Sequence, residues 1–143
     1  VVAFVLSEVD SGFLLEPSSA MGVPLLAVLE EWGFSIEVIY YERDAGREDC
    51  KHLGSRLPAA TFITFADECE LATVLAASEA RLIFSDSRCD SRVHGAGKNT
   101  FSLRHFEMGF EGALQTARGL ARRAANPYFA RFAPVQKPEQ EEA

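Results

Sequence analysis

The sequence has no apolar run of about 18 residues, the length a helix needs to cross a bilayer, so no membrane span is expected. Nor is there a cationic start followed by an apolar stretch and a small-residue cleavage site, so no secretory signal is visible. Cysteine is scarce: Cys50, Cys69 and Cys89 form no C-x-x-C pair and leave one over. That pattern argues against a disulfide framework, offers no complete iron–sulfur site, and fits a reducing cytoplasm. Positive charge is short as well, with 14 Lys and Arg against 21 Asp and Glu, and a net charge of −7 argues against a nucleic-acid surface. The first apolar run leads into Ser7 to Ser19, which lacks G-x-G-x-x-G.

What is present suits one soluble globular domain. The 143 residues are 48% hydrophobic and 24% charged, enough for a real core but not for two domains. Val1 stands where an initiating Met would, which points to a piece of a longer protein. Residues 1–135 read as a single domain. Residues 136–143, with Lys137 against Glu139, Glu141 and Glu142, read as a disordered acidic tail that cannot bury apolar surface.

Two patterns alternate along the chain. Val1 to Leu6 suits a strand buried on both faces, and Ser35 to Tyr41, Thr61 to Phe65 and Leu82 to Ser85 supply three more. Phe101 to Leu103 can add a short fifth. Between them Met21, Leu25, Val28, Leu29 and Trp32 recur at helical spacing, with Pro24 in the first turn and Gly33 placed to end the helix left-handed. Arg47 to Leu57 is a second helix, and Asp67 with Glu70 caps a third that buries Leu71, Val74 and Leu75. Phe110 to Ala125 is the longest, with Phe110, Ala113, Leu114, Ala117 and Leu120 or Ala121 expected along its sheet-facing stripe. Asn126 is expected to take a left-handed position after it, and Pro127 stops it. Such alternation implies parallel pairing through right-handed crossovers. The expected fold is a three-layer, Rossmann-like α/β domain with a four- to five-stranded, mainly parallel sheet.

In open parallel sheets ligands sit beyond the carboxyl ends of the strands. The loop after the fourth strand is chemically unusual, because Arg88, Arg92, His94, Lys98, Arg104 and His105 fall within 18 residues of an acidic chain. Such a positive field suits an anionic cofactor or an acidic partner, and Arg88, Lys98 and Arg104 are the candidates to bind it. A solvated loop whose charges pair among themselves is the other reading. Gly95-Ala96-Gly97-Lys98 is not a phosphate loop, since Arg92 stands where the motif needs Gly and Asn99 where it needs Ser or Thr. His105 is the candidate metal ligand, as a neutral imidazole on a loop at the mouth of a sheet. A surface or capping histidine is the alternative.

The last third of the chain carries a resemblance. Met108-Gly109-Phe110-Glu111-Gly112-Ala113, Ala117-Arg118 and Asn126-Pro127-Tyr128-Phe129 follow His105 in order. This series resembles the last domain of nitrogenase component 1, the family that includes the α subunit of the molybdenum–iron protein and the scaffold on which its cofactor is built. The resemblance implies the final α/β domain of an oxidoreductase subunit that helps enclose an iron–sulfur or molybdenum–iron-type cluster. It implies as partners the other domains of the subunit, a homologous partner subunit and an electron-donating reductase. It also places His105 on the stretch that bears a cluster ligand in that α subunit. Only Phe106, Glu107 and Met108 separate His105 from Gly109, a shorter loop than in the catalytic subunits. That departure favours a divergent or scaffold protein. The isolated chain is expected to hold no cluster and to be inactive. An unrelated α/β ligand-binding or interaction domain remains the third reading.

Overall fold

Five short strands, β1 (Val2–Leu6), β2 (Ile36–Tyr41), β3 (Thr61–Phe65), β4 (Leu82–Phe84) and β5 (Asn99–Phe101), pair in the order β3-β2-β1-β4-β5. Every pairing is parallel. The computed structural model describes residues 1–6, 22, 24–45, 48–85 and 90–131, with the backbone alone for 48–51. Among the described residues five α-helices accompany the sheet: α1 (Leu25–Glu31), α2 (Glu48–Arg56), α3 (Glu68–Ala77), α4 (Ser91–Gly95) and α5 (Gly109–Ala125). The expected tail, 136–143, lies outside the described residues.

Strand periodicity of two sorts the core into two layers. Val2, Phe4, Leu6, Val38, Leu82 and Phe101 meet Leu25 and Leu29 of α1, Leu53 of α2 and Leu120 of α5. Ala3, Ile39, Phe65 and Ile83 on the other face meet Leu71 and Leu75 of α3 and Val93 of α4. Both faces are covered, as a parallel sheet requires, and each fully buried Leu or Phe contributes roughly 1.5–3 kcal/mol. The result is the expected three-layer Rossmann-like fold, with a sheet that is parallel throughout. β4 and β5 are only three residues each. An aromatic triad ties them to β1: Phe4 and Phe84 stack at 5.4 Å, and Phe101 meets their edges at 5.7 and 5.4 Å.

Local signals hold at several ends. Gly33 ends α1 with φ of 80°, and Pro24 occupies its N-cap. Asp67 caps α3 by accepting the Glu70 N–H at 2.8 Å, while Glu70 reaches back to the Ala66 N–H at 2.6 Å. The fifth strand runs two residues earlier than expected. Gly97, with φ of 76°, turns the chain directly after α4, so pairing begins at Asn99, and Leu103 opens a 3₁₀ turn (Leu103–His105) instead. Asn126 is not left-handed, with φ of −78° and ψ of 115°. The Asn99 amide takes over the capping, donating to the Arg123 carbonyl at 3.0 Å and the Asn126 carbonyl at 2.9 Å.

The larger correction concerns α5. Its buried residues are Gly112, Thr116 and Leu120, whereas Phe110 is 84% exposed and Leu114 40% exposed. The expected Phe110–Leu114 stripe faces outward. Periodicity pointed to the bulkier stripe, but the helix seats a face of smaller residues, and a backbone contact accounts for it. A Cβ on Gly112 would lie 2.7 Å from the Glu107 carbonyl carbon, so only glycine lets the helix come this close. Thr116 Oγ1 closes the contact, accepting the Glu107 N–H at 2.9 Å and donating to the Gly112 carbonyl at 2.9 Å.

Gly112→Ala is therefore expected to cost about 1–3 kcal/mol, since backbone rather than a flexible side chain must yield. Gly119→Ala, whose added Cβ meets nothing within 4 Å, is the control and is expected to be neutral or slightly stabilising. Urea melts of the two variants check this, and equal midpoints would show that the close approach does not set the helix position.

Candidate functional site

The order β3-β2-β1-β4-β5 reverses direction between β1 and β4, and a crevice at the carboxyl ends is expected there. The loop after β1 lies outside the described residues, as do residues 86–89 after β4. What the structure describes at this edge is a chain of polar contacts running from the end of β2 to the start of α4. The Tyr41 hydroxyl, at the end of β2, donates to Glu68 Oε1 at 3.1 Å, in the first turn of α3. Glu68 Oε2 lies 3.9 Å from Arg92 Nη1. Arg92 grips Asp90 with two side-chain bonds, Nε to Oδ1 at 3.2 Å and Nη2 to Oδ2 at 3.1 Å. Ser85, just past β4, donates its hydroxyl to the same carboxylate at 3.0 Å. The Arg43 guanidinium stands 4.6 Å from the centre of the Tyr41 ring.

Asp90 is the pivot, at only 8% exposed. It also accepts the Arg92 backbone N–H at 3.2 Å and so caps α4. Burial by itself raises its pKa, but the bonds from Arg92 and Ser85 and the guanidinium charge outweigh it, and the carboxyl is held below its ordinary range. The Arg92 guanidinium is raised in turn, first by its bonds to Asp90. The Tyr41 phenol is raised because its proton is held by Glu68. Among the described residues of this edge, Arg92 pairs with Asp90 and Glu68, so its own charge is answered in place.

His105 follows the carboxyl end of β5, in the 3₁₀ turn Leu103–His105. Its Nδ1 lies 3.0 Å from the Ser102 backbone N and 3.1 Å from the Ser102 carbonyl oxygen. Either tautomer is satisfied. With the proton on Nε2 the ring accepts from Ser102 N–H, and with the proton on Nδ1 it donates to the Ser102 carbonyl and leaves the Nε2 lone pair for a ligand. Burial, seconded by the charge of Arg123, lowers the imidazole pKa, and the Ser102 contact only partly opposes this. The ring is neutral at neutral pH, the form a metal requires. Next to it the Phe106 ring stacks on Trp32 of the turn after α1, at 5.9 Å.

The remaining candidates scatter. Arg104 is exposed beside His105, and Arg88 lies outside the described residues. Lys98 does not join them, because it precedes β5 and stands at the amino end of the sheet. There Lys98 Nζ donates to the Ser78 carbonyl at 2.6 Å. The Ser78 hydroxyl donates to Glu37, a buried carboxylate on β2. Burial lowers the Lys98 pKa, Glu37 opposes that, and Arg81 adds to it. The physical reason is the helix α4: it carries the chain back from the carboxyl end of the sheet to the amino end, so the length of β5 separates Lys98 from Arg104 and His105. His94 in that helix stacks flat on Phe129, 3.8 Å apart with 5° between the rings.

Sequence reasoning missed Tyr41, Glu68 and Asp90. An Asp before Ser91-Arg92-Val93 carries an N-cap signal that could have marked Asp90, but nothing in the sequence links Tyr41 to a glutamate 27 residues on. Among the described residues no group of three or more His, Cys, Asp and Glu side chains could hold a metal ion, and no helix is long and apolar enough to cross a membrane. No protein-family model matches the chain, and comparisons with curated proteins and with solved structures return no match.

Two measurements follow. Asp90→Ala removes a cap and buried charge-assisted bonds together and is expected to cost about 2–4 kcal/mol in a denaturant melt; a loss no greater than that of an exposed carboxylate would show that the pivot is not structural. For His105 the folded pKa lies below the unfolded value of about 6.5, so the unfolded chain binds more protons in acid. Its contribution is complete above about pH 6.5 and is lost as pH falls towards the folded pKa. His105→Gln is expected to flatten the fall in stability between about pH 7.5 and 5.5, and identical pH profiles would remove the burial argument.

Proposed function

We propose that the chain is a domain of a nitrogenase component 1-like oxidoreductase subunit, cytoplasmic, that helps enclose a metal-cluster cofactor and contacts neighbouring domains or subunits. The observation that carries this reading is a neutral imidazole, His105, on the turn between the last parallel strand and the Gly109 to Phe129 segment that bears the resemblance. Support comes from three levels. The sheet is parallel and covered on both faces. The turn follows the carboxyl end of β5, where such sheets take ligands. The Nδ1 contact with Ser102 is the kind of outer hydrogen bond that orients a ligating histidine.

His105 fits a cluster as one donor, through Nε2. The described residues supply no companion thiolates, since Cys69 lies exposed in the first turn of α3, on the opposite face of the sheet. A cluster therefore needs ligands from neighbouring domains, and it would supply the electron transfer to substrate, with electrons from a separate reductase. The part of this chain is to hold one imidazole neutral and oriented and to exclude water with Phe106, Trp32 and Leu103. Arg104 is the candidate among the described residues for its anionic surroundings, and Arg88 lies outside them.

Within that reading the scaffold role is favoured over a catalytic one. The turn from His105 to α5 is short and clamped, because Glu107 packs on Gly112 and donates to Thr116. A clamped turn suits a site that carries a cluster unchanged better than one that must admit substrate.

In the full-length protein, His105→Ala is expected to lower iron content, read by elemental analysis, while the melting temperature at pH 8 stays close to the parent value. Unchanged metal content in a folded variant would remove His105 from the site and leave only the resemblance.

A further inference from the structure

Helix α5 carries a second apolar seam that the core does not use. Phe110, Leu114, Ala117 and Ala121 follow one another at intervals of four, three and four, the spacing of alternate d and a positions in a heptad. The helix buries Gly112, Thr116 and Leu120 instead, on its opposite side. Phe110 and Leu114 are left 84% and 40% exposed, and Met108, just before the helix, 82% exposed. Large apolar side chains grouped this way are uncommon on a surface that meets only water.

The order of residues along the seam identifies its occupant. Its first half is bulky, Phe110 and Leu114, and its second half is small, Ala117 and Ala121. In an antiparallel pair of α5 helices each Phe110 comes to lie over the partner's Ala121 and each Leu114 over the partner's Ala117. Both pairs share one centre of symmetry, between Gln115 and Thr116. Such a-to-d pairing of large on small residues is what antiparallel helices need for close packing. The flank obeys the same symmetry. Glu111 lies beside the first half of the seam, and Arg118 and Arg122 lie beside the second. When the helix is paired with a copy of itself, Glu111 falls between the partner's Arg118 and the partner's Arg122 on each side. A parallel pair would set Glu111 and Arg118 opposite the uncharged Phe106 and Ala113, leaving them without partners across the seam, and the antiparallel one also aligns the helix dipoles favourably.

We propose that α5 pairs antiparallel with α5 of a second copy of this chain, making a two-fold dimer through Phe110, Leu114, Ala117 and Ala121 with Glu111 facing Arg118 of the partner. This stands independently of the cluster reading, which uses the His105 turn ahead of the helix. The apolar seam supplies the affinity and the charges set the direction, since exposed ion pairs contribute little by themselves.

The test is the mass of the 143-residue chain by light scattering after gel filtration. It is run up to about 1 mM, where even a small interface associates. A dimer is expected for the parent, and a monomer for Leu114→Glu, whose exposed position leaves the fold intact by circular dichroism. Glu111→Arg and Arg118→Glu should each dimerise more weakly than the parent when alone, because each sets like charges face to face at the 111–118 pairs. Mixed one to one they should form a mixed dimer, since both 111–118 pairs are then opposite in sign. A monomeric parent at the highest concentration would overturn the proposal. So would a dimer that survives Leu114→Glu, or single charge variants whose mixing restores nothing.

Discussion

The contact of Gly112 with the Glu107 backbone governs the last third of the molecule. It brings the first turn of α5 against the segment that leads into it at a distance no side chain at that position would allow, and Thr116 satisfies the polar groups that the close approach would otherwise strand. Once the helix is seated this way its rotation is settled. Leu120 enters the core under Val2, Phe4 and Phe101, and Phe110 and Leu114 turn outward. The same contact shortens the turn that carries His105 and holds it against the end of β5. The two surfaces to which function is assigned, the imidazole turn and the outer seam, are consequences of one glycine.

The two ends of the sheet solve different electrostatic problems. At the amino end Glu37 is buried, and its charge is answered by the Ser78 hydroxyl and by Lys98, which is itself partly buried and so carries a lowered pKa. That arrangement ties the end of α3 to the approach to β5. At the carboxyl end Asp90 plays the corresponding part, with Arg92 and Ser85 as partners and Tyr41 and Glu68 extending the chain of contacts to β2 and α3. Each cluster fixes a helix terminus to a strand end by groups that are satisfied in place. Charge at both ends of the sheet is thus used locally, and along α5 it follows an ordered run from Glu111 to Arg118 and Arg122.

Much of the fold was legible in the residues themselves. Short apolar strands alternating with amphipathic segments admit few arrangements other than a covered parallel sheet, and the ends at Gly33 and Asp67 follow from backbone chemistry that acts within a few residues. The turn bearing His105 was legible for the same reason, because position after the last strand is a matter of chain order. Tyr41, Glu68 and Asp90 were not, since contacts between separate loops leave no spacing to read.

What the sequence by itself determined, then, was everything set by periodicity, capping and turn formation: element types, layer count and the carboxyl-end position of His105. Only tertiary structure decided which face of α5 meets the core, because Gly112, Thr116 and Leu120 also recur at helical spacing and Gly112 packs on the Glu107 backbone. Tertiary structure likewise sent Lys98 to the edge opposite His105. A basic run that looks continuous in one dimension is divided by α4, whose short length returns the chain across the sheet before β5 begins.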